Sequence, residues 1–375
     1  MKKQLTRIAS WMLLATMGQA GAFAQNIRID MNQTYPEKTI SLQKVADVKY
    51  IPLETTDEML FNGIVTNLSA EGIAGFNKKE GDILVFDGTG KAIASFNHTG
   101  QGPNEYNKIY HLDVDWKQKE VYVQDNFRQK IRIYGLDGRH LRTIDLQETM
   151  QQGDLYSFSD TRLIYYAQPK SKPVTAYEPV TLLSKKDASK VTLPFTKTDD
   201  NLVKATGGPF GDMKMSAKNV NLLCKKGDEV YVNEVTADVI YRVESNHALT
   251  PVVERTPSYQ DASGQDFFLM LTGANARYYF FKRQQALLEF QGNAATDTKS
   301  TYVAYDRKEK QLLNPTFTNE DYPSQDIPMS KLLQCAGSAN RCYLQLEAFK
   351  LKEALAEGKL KGTLKSIAEK LDEED

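Results

Sequence analysis

The sequence repeats itself, and the length of the repeat leaves few folds open. Ile83, Leu84, Val85 and Phe86, followed by Gly90, Lys91, Ile93 and Phe96, return 48 positions later as Ile131, Arg132, Ile133 and Tyr134, followed by Gly138, Arg139, Leu141 and Ile144. Glu120, Val121, Tyr122, Val123, Gln124 and Asp125 return 109 positions later, about two repeat lengths, as Glu229, Val230, Tyr231, Val232, Asn233 and Glu234. Within each unit, aromatic and β-branched residues alternate with polar ones over short runs separated by Gly, Asp and Asn, the pattern of strands joined by tight turns. A unit of about 45 to 50 residues that holds four short strands is the blade of a β-propeller. Units at 64–96 and 109–144, with fainter ones at 155–195, 219–253 and 277–313, make five. A sixth is expected from 331–335, 341–346 and strands near the N-terminus. The expected fold is therefore all-β: a six-bladed β-propeller over 25–346 with a short C-terminal helical segment over 347–375.

The termini carry separate signals. Lys2, Lys3 and Arg7 form a cationic start, residues 8–20 are mostly apolar, and Ala22, Phe23, Ala24 end in small residues, the order of a cleavable secretory signal. Cleavage is predicted after Ala24, which places the protein outside the cytoplasm, periplasmic or extracellular. The apolar run is too short to span a bilayer, and no other segment reaches that length. Loss of the signal moves the formal charge from −1 to −4, with none of the basic surplus that nucleic-acid binding requires. At the other end, Phe349, Leu351, Leu355, Leu360, Leu364, Ile367 and Leu371 recur at helical spacing, with Gly358 and Gly362 breaking the run into two helices that pack on their own domain. A ring must also close on itself or expose strand edges. The expectation is that one of 27–30, 39–42 or 48–53 adds to the C-terminal hairpin, joining residues 27–53 to residues 313–346.

Three stretches carry a resemblance: Val48, Lys49, Tyr50, Ile51, Pro52, Leu53, Glu54, Thr55, Thr56, Asp57; then Gly100, Gln101, Gly102, Pro103, Asn104, Glu105, Tyr106; then Leu112, Asp113, Val114, Asp115. In order and spacing they resemble the opening of a family of exported bacterial six-bladed β-propellers, distantly similar to NHL-repeat propellers. The resemblance implies the fold and export. It implies no chemistry, because that family has no assigned activity.

The residues themselves offer a few candidates. The segment 97–106 links one blade to the next on the face where propellers bind ligands, so His98, Gln101, Glu105 and Tyr106 are candidate ligand-binding residues at the channel mouth. The same glycines and Pro103 also suit a tight structural connection, with Glu105 tying adjacent blades. Asp113 and Asp115 share one face of a strand and could hold Ca²⁺, or else cap a turn and pair with cations. Cys335 and Cys342 flank a Gly-Ser-Ala-Asn turn and could form a disulfide, whereas Cys224 reads as an inert buried thiol. The four histidines, 98, 111, 140 and 247, fall in no metal-ligand spacing, and neither a Gly-x-Ser-x-Gly elbow nor a phosphate-binding loop is present. No catalytic residue is assigned. The expected function is binding of a glycan, peptide or protein partner through the channel loops, without a cofactor. The competing class is a hydrolase or lyase on the same scaffold with a channel-bound metal, for which Ca²⁺ is the alternative cofactor.

Overall fold

A computed structural model describes residues 27–371 apart from 58, 126, 147–149, 152–153, 167, 170–177, 197–201, 207–212, 217–221, 227–228, 260, 262–266, 292–293, 296–298 and 330–340. The signal segment 1–24 lies outside the described residues. Among those described, five antiparallel four-stranded meanders follow one another. Blade I comprises Ile64–Leu68, Gly72–Phe76, Ile83–Asp87 and Ala92–Phe96. Blade II comprises His111–Asp115, Glu120–Asp125, Lys130–Gly135 and His140–Asp145. Blade III comprises Leu155–Ser157, Arg162–Tyr166, Val180–Ser184 and Lys190–Thr192. Blade IV comprises Leu223–Lys226, Glu229–Val232, Val239–Val243 and Leu249–Thr256. Blade V comprises Phe267–Ala274, Tyr278–Gln285, Ser300–Asp306 and Gln311–Asn319.

The 48-residue offset superimposes third strand on third strand. In blades I and II these strands lead into tight turns at Gly90 and Gly138, whose φ of 91° and 80° suits glycine. The 109-residue offset relates the second strands of blades II and IV, and a polar triad recurs with it. Tyr122 donates to Glu120, which Arg142 also binds; Tyr231 donates to Glu229, which Arg242 also binds. Strand alternation explains why both faces are apolar. Val121 and Val123 pack with Phe76, Ile83 and Val85 of blade I, while Tyr122 between them packs with Leu155, Leu163 and Leu183 of blade III. Each such fully buried side chain contributes about 1.5–3 kcal/mol.

The blade count differs from the expected six. The N-terminal strands β1 (Ile27–Asp30) and β2 (Glu37–Ser41) do not build a further blade; they extend existing ones. Strand β1 lies parallel to Val253–Thr256 at the outer edge of blade IV, and β2 lies parallel to residues 314–318 at the outer edge of blade V. The expected bond between 27–53 and 313–346 is therefore made, for example from the Asn314 amide to the Pro36 carbonyl. Its partner is the outer strand of blade V rather than a hairpin over 331–346. Residues 330–340 lie outside the described residues, and 341–347 form no strand. Instead, Cys342 and Leu344 pack on blade V while Tyr343 donates to the Val65 carbonyl and Arg341 to the Ser69 carbonyl of blade I. This extended segment fills the seam between the last blade and the first. Cys342 is disulfide-bonded and Cys224 is free; Cys335 lies outside the described residues.

From β2 the chain continues along the outside to blade I, where the Glu54 amide donates to the Gly90 carbonyl and its carboxylate accepts from the Ala92 amide. Residues 27–54 are thus a strap over the outer edges of blades IV, V and I. Helices α1 (Ala348–Ala356) and α2 (Gly362–Ala368), with the turn between them, pack Leu351, Leu360 and Leu364 against Tyr50 of the strap and Tyr322. Gly358, with a φ of 68°, ends α1.

In a meander, the second-to-third connections and the links between blades open at the end where each innermost strand begins. The additional sheets arise there. Leu202–Thr206, between blades III and IV, pairs in parallel with Leu287–Gln291, from within blade V, and a two-stranded ribbon joins Met150–Gln151 to Gln168–Pro169. This end is the elaborated face of the ring.

Candidate functional site

The link between blades I and II lies on that face, and its side chains hold the link itself. Tyr106 is fully buried; its hydroxyl accepts from the His98 amide at 3.0 Å and donates to the Gly81 carbonyl at 2.8 Å. Burial pushes its phenol up to about 12. His98 stacks on Tyr134 at 4.9 Å and its Nε2 lies 2.8 Å from the Gly138 carbonyl. The Glu105 carboxylate folds back over the turn and accepts the Gly102 amide at 2.6 Å. A methyl group at Gly100 would overlap Glu105 Oε2, so a glycine there leaves room for the folded-back carboxylate. Gln101 accepts from Arg128 at 2.7 Å, and the same guanidinium donates to the carbonyls of Gly100, Gly102 and Glu105. Arg128, unremarked in the sequence, is the clamp that shapes the link.

A test follows from the overlap. Gly100→Ala and Glu105→Ala should each destabilise the protein, by about 1–3 kcal/mol for the loss of a charged hydrogen bond. The double variant should cost less than the sum, because removal of the carboxylate removes the clash. Additive urea midpoints would show that Glu105 does not occupy this position.

Asp113 and Asp115 lie on the innermost strand of blade II, and both carry ammonium partners. Asp113 is 2% exposed; it accepts from Asn67 of blade I at 2.6 Å, the Ser157 amide of blade III at 2.7 Å and Lys225 of blade IV at 3.0 Å. One carboxylate joins four of the five blades across the ring axis. Asp115 pairs with Lys185 at 2.6 Å and accepts from the Gln118 amide at 3.0 Å. Burial pushes its carboxyl up, but the Lys185 and Gln118 hydrogen bonds outweigh this and hold it below the usual carboxylate range. Among the described residues, no three His, Cys, Asp or Glu side chains gather as a metal site would require.

On the same face of that strand, two residues before Asp113, His111 sits at the end where the elaborated loops gather. Its ring meets Tyr156 of blade III edge-on at 4.8 Å, and neither ring nitrogen has a hydrogen-bond partner among the described residues. Burial drives the imidazole down to about 4, so it is neutral at pH 7; Asp113 opposes this shift and Lys225 adds to it. Asp154, just before the innermost strand of blade III, accepts the Leu222 and Leu223 amides on Oδ2 at 2.8 and 3.0 Å. Its Oδ1 has no partner among the described residues, and burial raises its carboxyl to about 6. The Asp154 charge reaches Tyr110, which is 42% exposed, and Tyr156. His111, Asp154 and Tyr156 are surrounded on most sides yet each keeps some accessible surface. Two surface depressions lie elsewhere: one of about 400 Å³ beside Ile93, and one of about 280 Å³ lined by Arg162, Ser245 and His247.

The pattern of a domain of unknown function, DUF4934, matches residues 26–375. The chain belongs to the DUF4934 family. Among solved structures, this DUF4934 protein is similar to a protein classed as exported from Bacteroides fragilis NCTC 9343, with 15% identity and a TM-score of 0.60 over 94% of this chain and 97% of that one. It is also similar, with 8% identity and a TM-score of 0.46 over 72% of this chain and 88% of the other, to a DUF4221 family member from Bacteroides vulgatus ATCC 8482. No curated protein matches the sequence. The first likeness supports the propeller architecture. No helix among the described residues is long and apolar enough to cross a membrane.

Proposed function

We propose that this DUF4934 protein is an exported binding propeller that takes a polar ligand, a glycan or the end of a peptide or protein segment, in the recess formed by His111, Asp154, Tyr110 and Tyr156. The observation that carries this reading is the set of polar atoms without partners. His111 and Asp154 are half-buried, and among the described residues both His111 nitrogens and Asp154 Oδ1 have no hydrogen-bond partner, so a bound molecule can reach them. A preorganised set of donors and acceptors beside aromatic rings is what a polar ligand needs. Export is supported by the signal-like order of the first 24 residues and by a family match that starts at residue 26. The alternative of a channel-bound metal has less support, since Asp113 and Asp115 already pair with Lys225 and Lys185.

The test is thermal stabilisation of the purified protein across a panel of mono- and oligosaccharides and short peptides. A ligand at about 100 times its Kd stabilises by about 2.7 kcal/mol, and His111→Phe, which keeps the ring but removes both nitrogens, should abolish the shift. A ligand that binds the His111→Phe protein undiminished would place the site elsewhere, and its chemical conversion would favour the enzyme.

A further inference from the structure

We infer that this DUF4934 protein has a second binding site, at the end of the ring opposite the elaborated face, where Arg162 and His247 hold the carboxylate of a small ligand. The inference goes beyond the recess and does not depend on it. The first-to-second turn of blade III, 158–161, and the third-to-fourth turn of blade IV, 244–248, both lie at that end. Between them is a depression of about 280 Å³. Phe158 and Val243, which pack in one core cluster between the two blades, form its apolar lining. Its polar lining is Arg162, His247 and the hydroxyls of Ser159, Thr161 and Ser245.

The charge of the depression follows from how the flanking acids are used. Asp160, between Ser159 and Thr161, pairs with Lys117. Glu244, between Val243 and Ser245, accepts from Nε and Nη2 of Arg242 at 3.0 and 2.9 Å. Among the described residues, no carboxylate lines the depression. Arg162 is half-buried and donates once, from Nη1 to the Ser189 carbonyl at 3.2 Å; the rest of its guanidinium has no partner among the described residues. A guanidinium offers parallel N–H donors that match a carboxylate, and the hydroxyls add further donors. One permanent cation balances a singly charged carboxylate, whereas a phosphate dianion would call for two. The volume lies at the small end of ligand pockets, so the part that enters is a single sugar ring or amino-acid residue.

The placing of His247 is a second, independent observation. Its amide donates to the Glu244 carbonyl at 2.9 Å and the Glu244 amide to the Ala248 carbonyl at 2.9 Å, which puts His247 at a φ of 70°. The same turn recurs with Gly90 in blade I, Gly138 in blade II and Ala188 in blade III at the equivalent position. Glycine adopts this conformation freely and a larger residue does so at a cost. Of these four turns, the one beside the depression is the one that carries a ring, and that ring lines it.

Two kinds of molecule present such a carboxylate, an acidic sugar and an acidic or carboxy-terminal peptide residue. The experiment is isothermal titration of the purified protein, at about pH 7.5 and low ionic strength, with two matched pairs: glucuronate against glucose, and N-acetylglycine against N-acetylglycinamide. At least one acid should bind at least about tenfold more tightly than its neutral counterpart, and which one does so identifies the source. Arg162→Gln should abolish the preference. His247→Gly should weaken it by at least about threefold while leaving the urea midpoint unchanged or raised, because glycine suits the turn, so loss of fold cannot account for the loss of binding. His111→Phe should leave the preference intact. Equal binding of acid and neutral forms in both pairs, or a preference that survives Arg162→Gln or His247→Gly, overturns the inference. A preference lost in His111→Phe and kept in Arg162→Gln also overturns it and assigns the carboxylate to the recess.

Discussion

Asp113→Ala is expected to remove about 3–5 kcal/mol of folding free energy, the cost of leaving a buried partner charge unpaired. Such a loss is a large part of the stability of an ordinary domain. The reason is where the carboxylate sits. Asn67, the Ser157 amide and Lys225 reach it from blades I, III and IV, so its removal strands three donors together. Lys225 is the expensive one, because its ammonium is largely withdrawn from water. The size of the effect can be apportioned with a second substitution. Lys225→Met alone leaves Asp113 with two neutral donors and should cost less than Asp113→Ala. Adding Lys225→Met to Asp113→Ala should recover part of the loss, since no unpaired ammonium is then left at this position. Urea midpoints of the four proteins give the coupling directly. A loss below about 1 kcal/mol for Asp113→Ala, the size of an exposed ion pair, would show that the axis is wet and that the blades are not tied through this residue.

The same residue shows how much of the molecule was legible in the sequence. Repeats at offsets of 48 and 109 are packing statements, because each strand must present apolar residues to two neighbouring blades, and they located equivalent strands in blades I, II and IV. The first strand of blade V was missed: Phe267–Ala274 is a nearly unbroken apolar run with no alternation to mark it. The number of blades was not legible either. Strands β1 and β2 add in parallel to outer edges, and an added edge strand has the same local pattern as a blade strand. At the site, the i, i+2, i+4 series His111, Asp113, Asp115 was visible, and its two aspartates were singled out. His111 was tested only against metal-ligand spacings and set aside. Asp154 and Lys225 have no local signal, since their significance depends on innermost strands 40 to 110 residues apart meeting at one axis.

Two opposed proton equilibria give the recess a signature in stability against pH. His111 takes up its proton near pH 6.5 in the unfolded chain but only near pH 4 in the folded protein. Between those values the unfolded state binds more protons, so stability falls as the pH drops, by about 3 kcal/mol in all at about 1.4 kcal/mol per pK unit. Asp154 behaves in the opposite sense. Its carboxyl titrates near pH 3.8 when unfolded and near pH 6 when folded, so between these values the folded state holds the extra proton. Stability then rises as the pH drops, again by about 3 kcal/mol. Over pH 4 to 6 the two contributions nearly cancel in the unaltered protein, and single substitutions should unmask them. With His111→Gln, the Asp154 contribution remains and the protein should become more stable as the pH falls from about 6.5 to about 4. With Asp154→Asn, the His111 contribution remains and stability should decline over the same range. The ionisable neighbours, Asp113 and Lys225 beside His111 and Tyr110, Tyr156 and Cys224 around Asp154, are the same in both variants. The difference between the two variants' stability curves should therefore change by about 6 kcal/mol across this range. Denaturation midpoints at half-unit pH intervals measure it. Parallel curves for the two variants would mean that neither group is held away from water as the fold places it.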